Sequence, residues 1–97
     1  MKHVFHPAAE AEHLECIAFY ESRHVGLGAR YLDEIEVAIA LICEAPQRYR
    51  IEGATELRRL HLRQFPMTLI FREAEGEVQI LAVAHKRRRP AYWLRRV

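Results

Sequence analysis

The sequence predicts an α+β domain in which an antiparallel helical hairpin packs on a small, largely antiparallel sheet, in the order β-α-α-β-β-β. The chain has 97 residues, 51% hydrophobic and 29% charged, so a single globular domain over residues 1–97 is expected. Apolar residues recur with helical spacing up to about residue 45 and alternate after residue 56. This change of period divides the chain into a helical half and a sheet half, which a short C-terminal helical turn closes.

The helical half begins with a short strand, His3 to His6. Pro7 suits the first turn of a helix, because its missing N–H needs no partner there. A first helix is predicted from Pro7 to about His24, and Gly26 and Gly28 interrupt it. Its apolar stripe is predicted to consist of Ala11, Leu14, Ile17 and Ala18.

A second helix carries a narrow apolar stripe of Leu32, Ile35, Ile39 and Ile42. Asp33, Glu34 and Glu36 are predicted to face outward, and Ala45-Pro46 ends the helix. The joint between the helices is short, so they are expected to fold back on each other as a hairpin.

The sheet half follows a loop from about Pro46 to Glu56. Strands are predicted over Leu57–Arg63, Met67–Arg72 and Val78–His85. The last is apolar on both faces, which indicates a central strand. Glu73 to Gly76 is predicted as a turn in which Gly76 supplies a positive φ, and Pro90 to Arg96 as the closing helical turn.

Charge is distributed unevenly along the chain. Residues 1–56 carry five Lys/Arg and ten Asp/Glu, a net charge of −5, whereas residues 57–97 carry ten and three, a net charge of +7. Six Lys/Arg and two aromatic residues fall between His85 and Arg96. Arginine forks suit phosphate and carboxylate geometry, so this half predicts an anionic partner. The candidate binding residues are Arg59, His61, Arg63, Lys86, Arg87, Arg88, Arg89, Tyr92 and Trp93.

Several classes of site lack their signatures. The six histidines are dispersed without a His-x-x-x-His pair and there is no Cys-x-x-Cys, so neither a metal nor another cofactor is expected. No nucleotide-binding loop or Ser/His/Asp signature is present. The longest apolar run is too short to cross a membrane, and the N-terminus lacks the apolar run of a signal peptide. Cys16 and Cys43 are expected to be thiols, and a cytoplasmic protein with no membrane partner is predicted.

The order of elements and a set of short motifs resemble the RelE/ParE superfamily of type II toxin–antitoxin toxins, closest to the ParE-like plasmid-stabilisation branch. The motifs are Phe19-Tyr20-Glu21, Leu27-Gly28, Pro46, Arg58-Arg59, the segment Phe65 to Phe71, and the segment Val83 to Trp93. The resemblance implies a growth-inhibiting toxin that a cognate antitoxin neutralises. It also implies that operator DNA is contacted only indirectly, through the antitoxin.

The resemblance leaves the target open between two branches. ParE-like toxins are associated with DNA gyrase, whereas RelE-like toxins cleave mRNA on the ribosome. The RelE-like ribonucleases carry arginines where this chain has Thr68 and Lys86. A neutral Thr68 cannot stabilise the phosphorane charge, and Lys86 cannot form the two-pronged contact of an arginine. We therefore expect a toxin that acts by binding.

Two alternatives stay open beside this reading. In a RelE-like ribosome-dependent endonuclease, the catalytic residues would be Arg63, His85, Arg88 and Tyr92. The other alternative is an inactive family member that serves as a binding module.

Overall fold

The computed structural model describes residues 1–87 and 91–96, and these ranges contain four strands and two α-helices. The strands are β1 (His3–Phe5), β2 (Arg58–His61), β3 (Met67–Ala74) and β4 (Glu77–His85). The helices are α1 (Pro7–Arg23) and α2 (Leu27–Glu44), and short 3-10 helices span Pro46–Arg48 and Tyr92–Arg96. The predicted order of elements is confirmed. Neither α-helix combines the length and apolar character that crossing a bilayer requires.

The strands form one mixed sheet in the order β1-β4-β3-β2. β2 pairs with β3 and β3 with β4 in antiparallel fashion, while β1 lies parallel to β4. The description of the sheet as largely antiparallel therefore holds for two of its three pairings. β4 is central, as its apolar faces predict, because β1 and β3 flank it.

The main core lies between the helical hairpin and one face of the sheet. Ile35, Ile39 and Ile42 of α2 are buried there, which confirms most of the predicted stripe, and Leu32 is half-buried. Sheet residues from alternate positions complete this core, namely Met67, Leu69, Phe71, Val78, Ile80 and Val83.

The predicted stripe of α1 is wrong at three of its four positions. Ala11, Leu14 and Ala18 are exposed, and Ile17 alone is half-buried. The inward face instead consists of Ala9, Glu12, His13, Cys16, Ile17 and Tyr20. Two polar residues, Glu12 and His13, lie on this face. A prediction that counts only apolar residues therefore assigns the buried face to the wrong side of the helix. Cys16 and Cys43 are free thiols.

The strand ends differ from the predictions by a few residues. β2 is shorter than Leu57–Arg63, because the chain turns at Leu62, whose N–H donates to the carbonyl of Met67 at 2.9 Å. β3 continues to Ala74, so the turn contains only Glu75 and Gly76, with φ of 56° and 77°. Two positive φ angles in a two-residue loop match the twist of an antiparallel hairpin.

Candidate functional site

The sheet face opposite the helices carries several of the residues that the sequence predicts to bind a partner. The strand register aligns His61, Thr68 and Ala84 across β2, β3 and β4. Arg59 and Ile70 form part of the next row on the same face, because alternate strand residues point to the same side. These two rows are the base of the site.

The C-terminal 3-10 helix folds back over this face and walls off part of it. Trp93 is 6% exposed and packs in a second core with Leu57, Ile70, Ala82 and Ala84. The guanidinium carbon of Arg59 lies 5.4 Å from the centre of the Trp93 ring, a cation–π contact. Trp93 therefore serves as a wall of the site, and its ring is not free to stack on a ligand.

A hollow of about 120 Å³, here called the sheet pocket, lies between that wall and the end of β4. Ala84 and its cross-strand partner Thr68 both have short side chains, and this leaves the space open. The pocket is lined by Arg59, His61, Thr68, Ile70, Ala84, His85, Lys86 and Trp93. Four of the nine binding residues predicted from the sequence thus meet at one hollow: Arg59, His61 and Lys86, with Trp93 as its wall.

Both histidines of the sheet pocket are held by their Nδ1 atoms. Nδ1 of His61 lies 2.7 Å from the Thr68 hydroxyl, and Nδ1 of His85 accepts the backbone N–H of Arg87 at 3.0 Å. Each ring therefore keeps Nε2 as the nitrogen available to a ligand. Thr68 is 4% exposed, so its hydroxyl orients His61 and does not itself reach solvent.

The two cations of the pocket differ in freedom. The guanidinium of Arg59 donates to Glu52 at 2.7 Å and is thereby fixed between that carboxylate and Trp93. The backbone N–H of Lys86 donates to the carbonyl of Pro66 at 3.0 Å, which fixes the main chain while the side chain stays exposed. The pocket thus combines one held guanidinium with one solvated ammonium group.

Other predicted residues lie away from the pocket. Arg63 is exposed after β2, where its backbone N–H donates to Glu34, and Arg87 is exposed in the turn after β4. Arg88 and Arg89 lie outside the described residues. The Tyr92 hydroxyl donates to Glu12 at 2.8 Å. Of the described members of the ribonuclease set, Arg63, His85 and Tyr92, His85 alone lines the sheet pocket.

Glu12 of α1 holds the C-terminal segment in place. Its two oxygens accept both terminal nitrogens of Arg96 at 3.0 Å, together with the Tyr92 hydroxyl, and Oε1 also accepts the Val83 N–H at 3.0 Å. Burial alone raises the pKa of Glu12, but the hydrogen bonds and the charge of Arg96 outweigh it and hold the pKa below its ordinary value. We call this cluster of Glu12, Tyr92, Val83 and Arg96 the tail clasp.

Sequence reasoning missed Glu12 and Glu52. Glu12 falls between Ala9 and Cys16 at helical spacing, so its position on the inward face was the available signal. Glu52 had no local signal, because it lies in an irregular loop and its partner Arg59 follows seven residues later.

A second hollow of about 210 Å³ lies between α1 and the ends of β3 and β4. Its lining includes Cys16, Phe19, Met67 and Val83. Phe19 is 52% exposed, so α1 presents apolar surface to solvent beside this groove.

Comparison with known proteins supports one family. The family model described as "ParE toxin of type II toxin-antitoxin system, parDE" matches residues 4–90. A solved structure, the "Chromosomal ParDE TA system from P. aeruginosa", is 19% identical in sequence with a TM-score of 0.74, and the match covers 88% of this chain and 95% of that one. At this identity the likeness shows a shared fold. Comparison with curated proteins gives no significant match.

Proposed function

Since this chain belongs to the ParE toxin family of type II toxin–antitoxin systems, we propose that it is the growth-inhibiting member of such a pair. A cognate antitoxin holds it inactive, and when free it acts by binding a macromolecular target, with DNA gyrase as the first candidate. The family match over residues 4–90 carries the assignment to the pair.

The composition of the sheet pocket supports binding in preference to RNA cleavage. Cleavage of RNA through its own 2′-OH needs a base, an acid and cations preorganised around one phosphate. Thr68 contributes no charge at the base of the pocket, and the Tyr92 hydroxyl is engaged by Glu12. Arg63 lies on the exposed turn after β2. The pocket therefore offers positive charge and hydrogen-bond donors but not the proposed catalytic set.

The groove beside α1 supports an antitoxin-binding role. Phe19 offers exposed apolar surface, and His85 lies at the border between this groove and the sheet pocket. The apolar residues of an antitoxin arm would cover the groove, and its acidic residues would approach the cations of the sheet pocket. We propose that this groove receives the antitoxin.

Growth assays test the assignment to a toxin–antitoxin pair. The chain is induced in bacteria alone and together with the short reading frame that neighbours its gene. We expect growth arrest with the chain alone and normal growth with both. Normal growth with the chain alone, at a level of soluble protein that immunoblotting confirms, would instead support the inactive binding module.

Two assays in vitro distinguish the targets. Purified chain is added to a gyrase supercoiling reaction, and in parallel to translating ribosomes that are analysed by toeprinting. We expect inhibition of supercoiling, weakened by Lys86→Gln but not by Arg30→Gln, which removes the same charge from the exposed face of α2. New cleavage in the A-site codon, with supercoiling unaffected, would establish the RelE-like alternative.

Antitoxin binding is tested on the groove. Phe19→Ala is expected to weaken the complex at least tenfold, because about half of this ring is exposed and available to a partner. Val37→Ala is the control, since Val37 is 61% exposed on α2. Association is also expected to slow as salt rises, because opposite charges steer the encounter. Equal effects of the two substitutions would remove the groove from the interface.

A further inference from the structure

The side chains that line the sheet pocket are cationic or neutral. Its polar side chains are Arg59, His61, Thr68, His85 and Lys86, and no carboxylate is among the lining residues that the structure describes. Arginine and lysine only donate hydrogen bonds, and the imidazole of His85, whose Nδ1 accepts the Arg87 N–H, presents an N–H at Nε2. A ligand that fills this hollow therefore has to supply acceptors and negative charge.

The position of the donors discriminates between anions. Arg59 and His61 come from β2, and His85 and Lys86 from the end of β4, so the donors face the hollow from the strands on both sides of β3. A planar carboxylate offers two oxygens on one side, whereas a phosphate group offers oxygens in several directions. Donors on opposite sides of the hollow favour the phosphate group.

The size of the hollow limits what enters it. About 120 Å³ equals the liquid volume of roughly four waters, so the space suits one phosphate group and excludes a nucleobase with its sugar. Stacking is also unavailable, because Trp93 is 6% exposed and Arg59 lies over its ring. The remainder of the ligand has to stay outside, near the exposed Lys86 and Arg87.

We propose that the sheet pocket binds a single phosphate group of a nucleotide or of a nucleic-acid backbone, with Arg59, His61 and Lys86 as its main contacts. Its biological meaning rests on the proposed function, since a toxin that binds a nucleic-acid-handling target would gain affinity from a backbone phosphate. The ammonium of Lys86 supplies positive charge, and the guanidinium of Arg59, whose charge Glu52 partly offsets, supplies N–H donors. The Thr68 hydroxyl fixes the imidazole of His61 toward the same ligand.

Trp93 is the only tryptophan of the chain and lines the pocket, so its fluorescence reports this site. The purified protein is titrated at constant ionic strength with inorganic phosphate, a nucleoside monophosphate, a single-stranded oligonucleotide and a glutamate-rich peptide. We expect a saturable change with inorganic phosphate at a Kd on the order of 1 mM. Tighter binding of the oligonucleotide than of the monophosphate would identify a nucleic-acid backbone as the source of the phosphate group. Equal binding of the two would identify a free nucleotide as that source.

Variants connect the signal to the pocket. Lys86→Gln is expected to weaken phosphate binding about tenfold, as loss of one charge-assisted hydrogen bond implies. Ala84→Val reduces the hollow without changing the net charge and is expected to weaken binding as well, while Arg30→Gln on α2 leaves it unchanged. Circular dichroism and the urea midpoint of each variant show whether it is folded.

Three results would overturn the inference: no saturable change with phosphate, equal weakening by Arg30→Gln and Lys86→Gln, or stronger binding of the glutamate-rich peptide than of every phosphate ligand. None of these measurements uses growth. Loss of phosphate binding with toxicity intact would remove only this inference, and absence of toxicity would leave the binding measurement valid.

Discussion

The tail clasp makes a quantitative prediction about stability. The side chains of Glu12 and Arg96 are 13% and 16% exposed, and they meet in a two-pronged contact with both N–O distances at 3.0 Å. Glu12→Ala removes this partner of Arg96 and also leaves the Val83 N–H without its acceptor. A buried ion pair that loses one member costs about 3–5 kcal/mol and an unsatisfied amide about 1–3 kcal/mol.

These two costs overlap, and both are reduced because the groups are not fully buried. Arg96 also donates to the Leu81 carbonyl at 2.9 Å, a contact that Glu12→Ala leaves intact. We therefore expect Glu12→Ala to lower the free energy of unfolding by about 2–4 kcal/mol. Glu12→Gln keeps an oxygen for the Val83 N–H and is expected to cost about half as much, since neutral hydrogen bonds are roughly half as strong as charge-assisted ones.

Urea denaturation followed by circular dichroism and by Trp93 fluorescence measures both variants. The slope of the free energy against urea should stay constant, so that the shift in midpoint reports stability. Glu15→Ala is the matched control, because Glu15 is an exposed carboxylate on the same helix and its loss should change stability by less than about 0.5 kcal/mol. If Glu12→Ala is no more destabilising than Glu15→Ala, the clasp does not hold the folded chain together.

The remaining stability predictions use other features of the fold. The pKa of Glu12 is lower in the folded chain than its ordinary value of 4.5. The stability that ionised Glu12 contributes is therefore fully present above pH 4.5 and is lost as pH falls through the folded pKa. The difference in unfolding free energy between wild type and Glu12→Gln, measured in urea, should accordingly narrow below about pH 4.5. Gly28→Ala would place a Cβ 2.7 Å from the Ile17 carbonyl oxygen, so thermal melts should show a loss of about 1–2 kcal/mol, and an unchanged Tm would contradict this close approach. At Gly76 (φ 77°), space is open, so Ala should cost about 1 kcal/mol through backbone strain while Asn costs less.

The features that could be predicted from the sequence are those that local spacing determines. The stripe of Ile35, Ile39 and Ile42 predicts the inward face of α2 because large apolar residues alternate there with acids. β4 is predicted to be central because its run from Leu81 to Ala84 is apolar on both faces. In both cases the spacing of apolar residues within the segment is sufficient for the prediction.

The features that could not be predicted depend on distant partners. α1 half-buries Glu12 and His13 on its inward face, and the hydrogen-bond partners of Glu12 lie 71 to 84 positions away in the sequence. A local count of apolar residues therefore selected Leu14 and Ala18, which are exposed. The parallel pairing of β1 with β4 could not be predicted either, because a strand of three residues has too few side chains to specify its neighbour.

The candidate site shows the same division. Alternation predicts that Arg59 and His61 share a face, and the register across β3 and β4 then brings Lys86 to the same hollow. Whether a cation is available there depends on its partners, however. Arg59 is held by Glu52, and Arg96 is consumed by Glu12, so a count of basic residues overstates the charge that a ligand meets.

The tail clasp and the sheet pocket are physically connected, because Trp93 lies in the 3-10 helix that Arg96 secures. Releasing Arg96 in Glu12→Ala should therefore expose Trp93 in the folded protein, raise its collisional quenching by acrylamide and weaken phosphate binding. Ile35→Ala is the control, since it destabilises the helix side of the core by a comparable 2–5 kcal/mol without touching the tail. Quenching that rises equally in both variants would mean that Trp93 becomes accessible through global unfolding. Quenching that rises in neither would mean that its packing against Ile70 and Ala84 holds the wall of the pocket without the clasp.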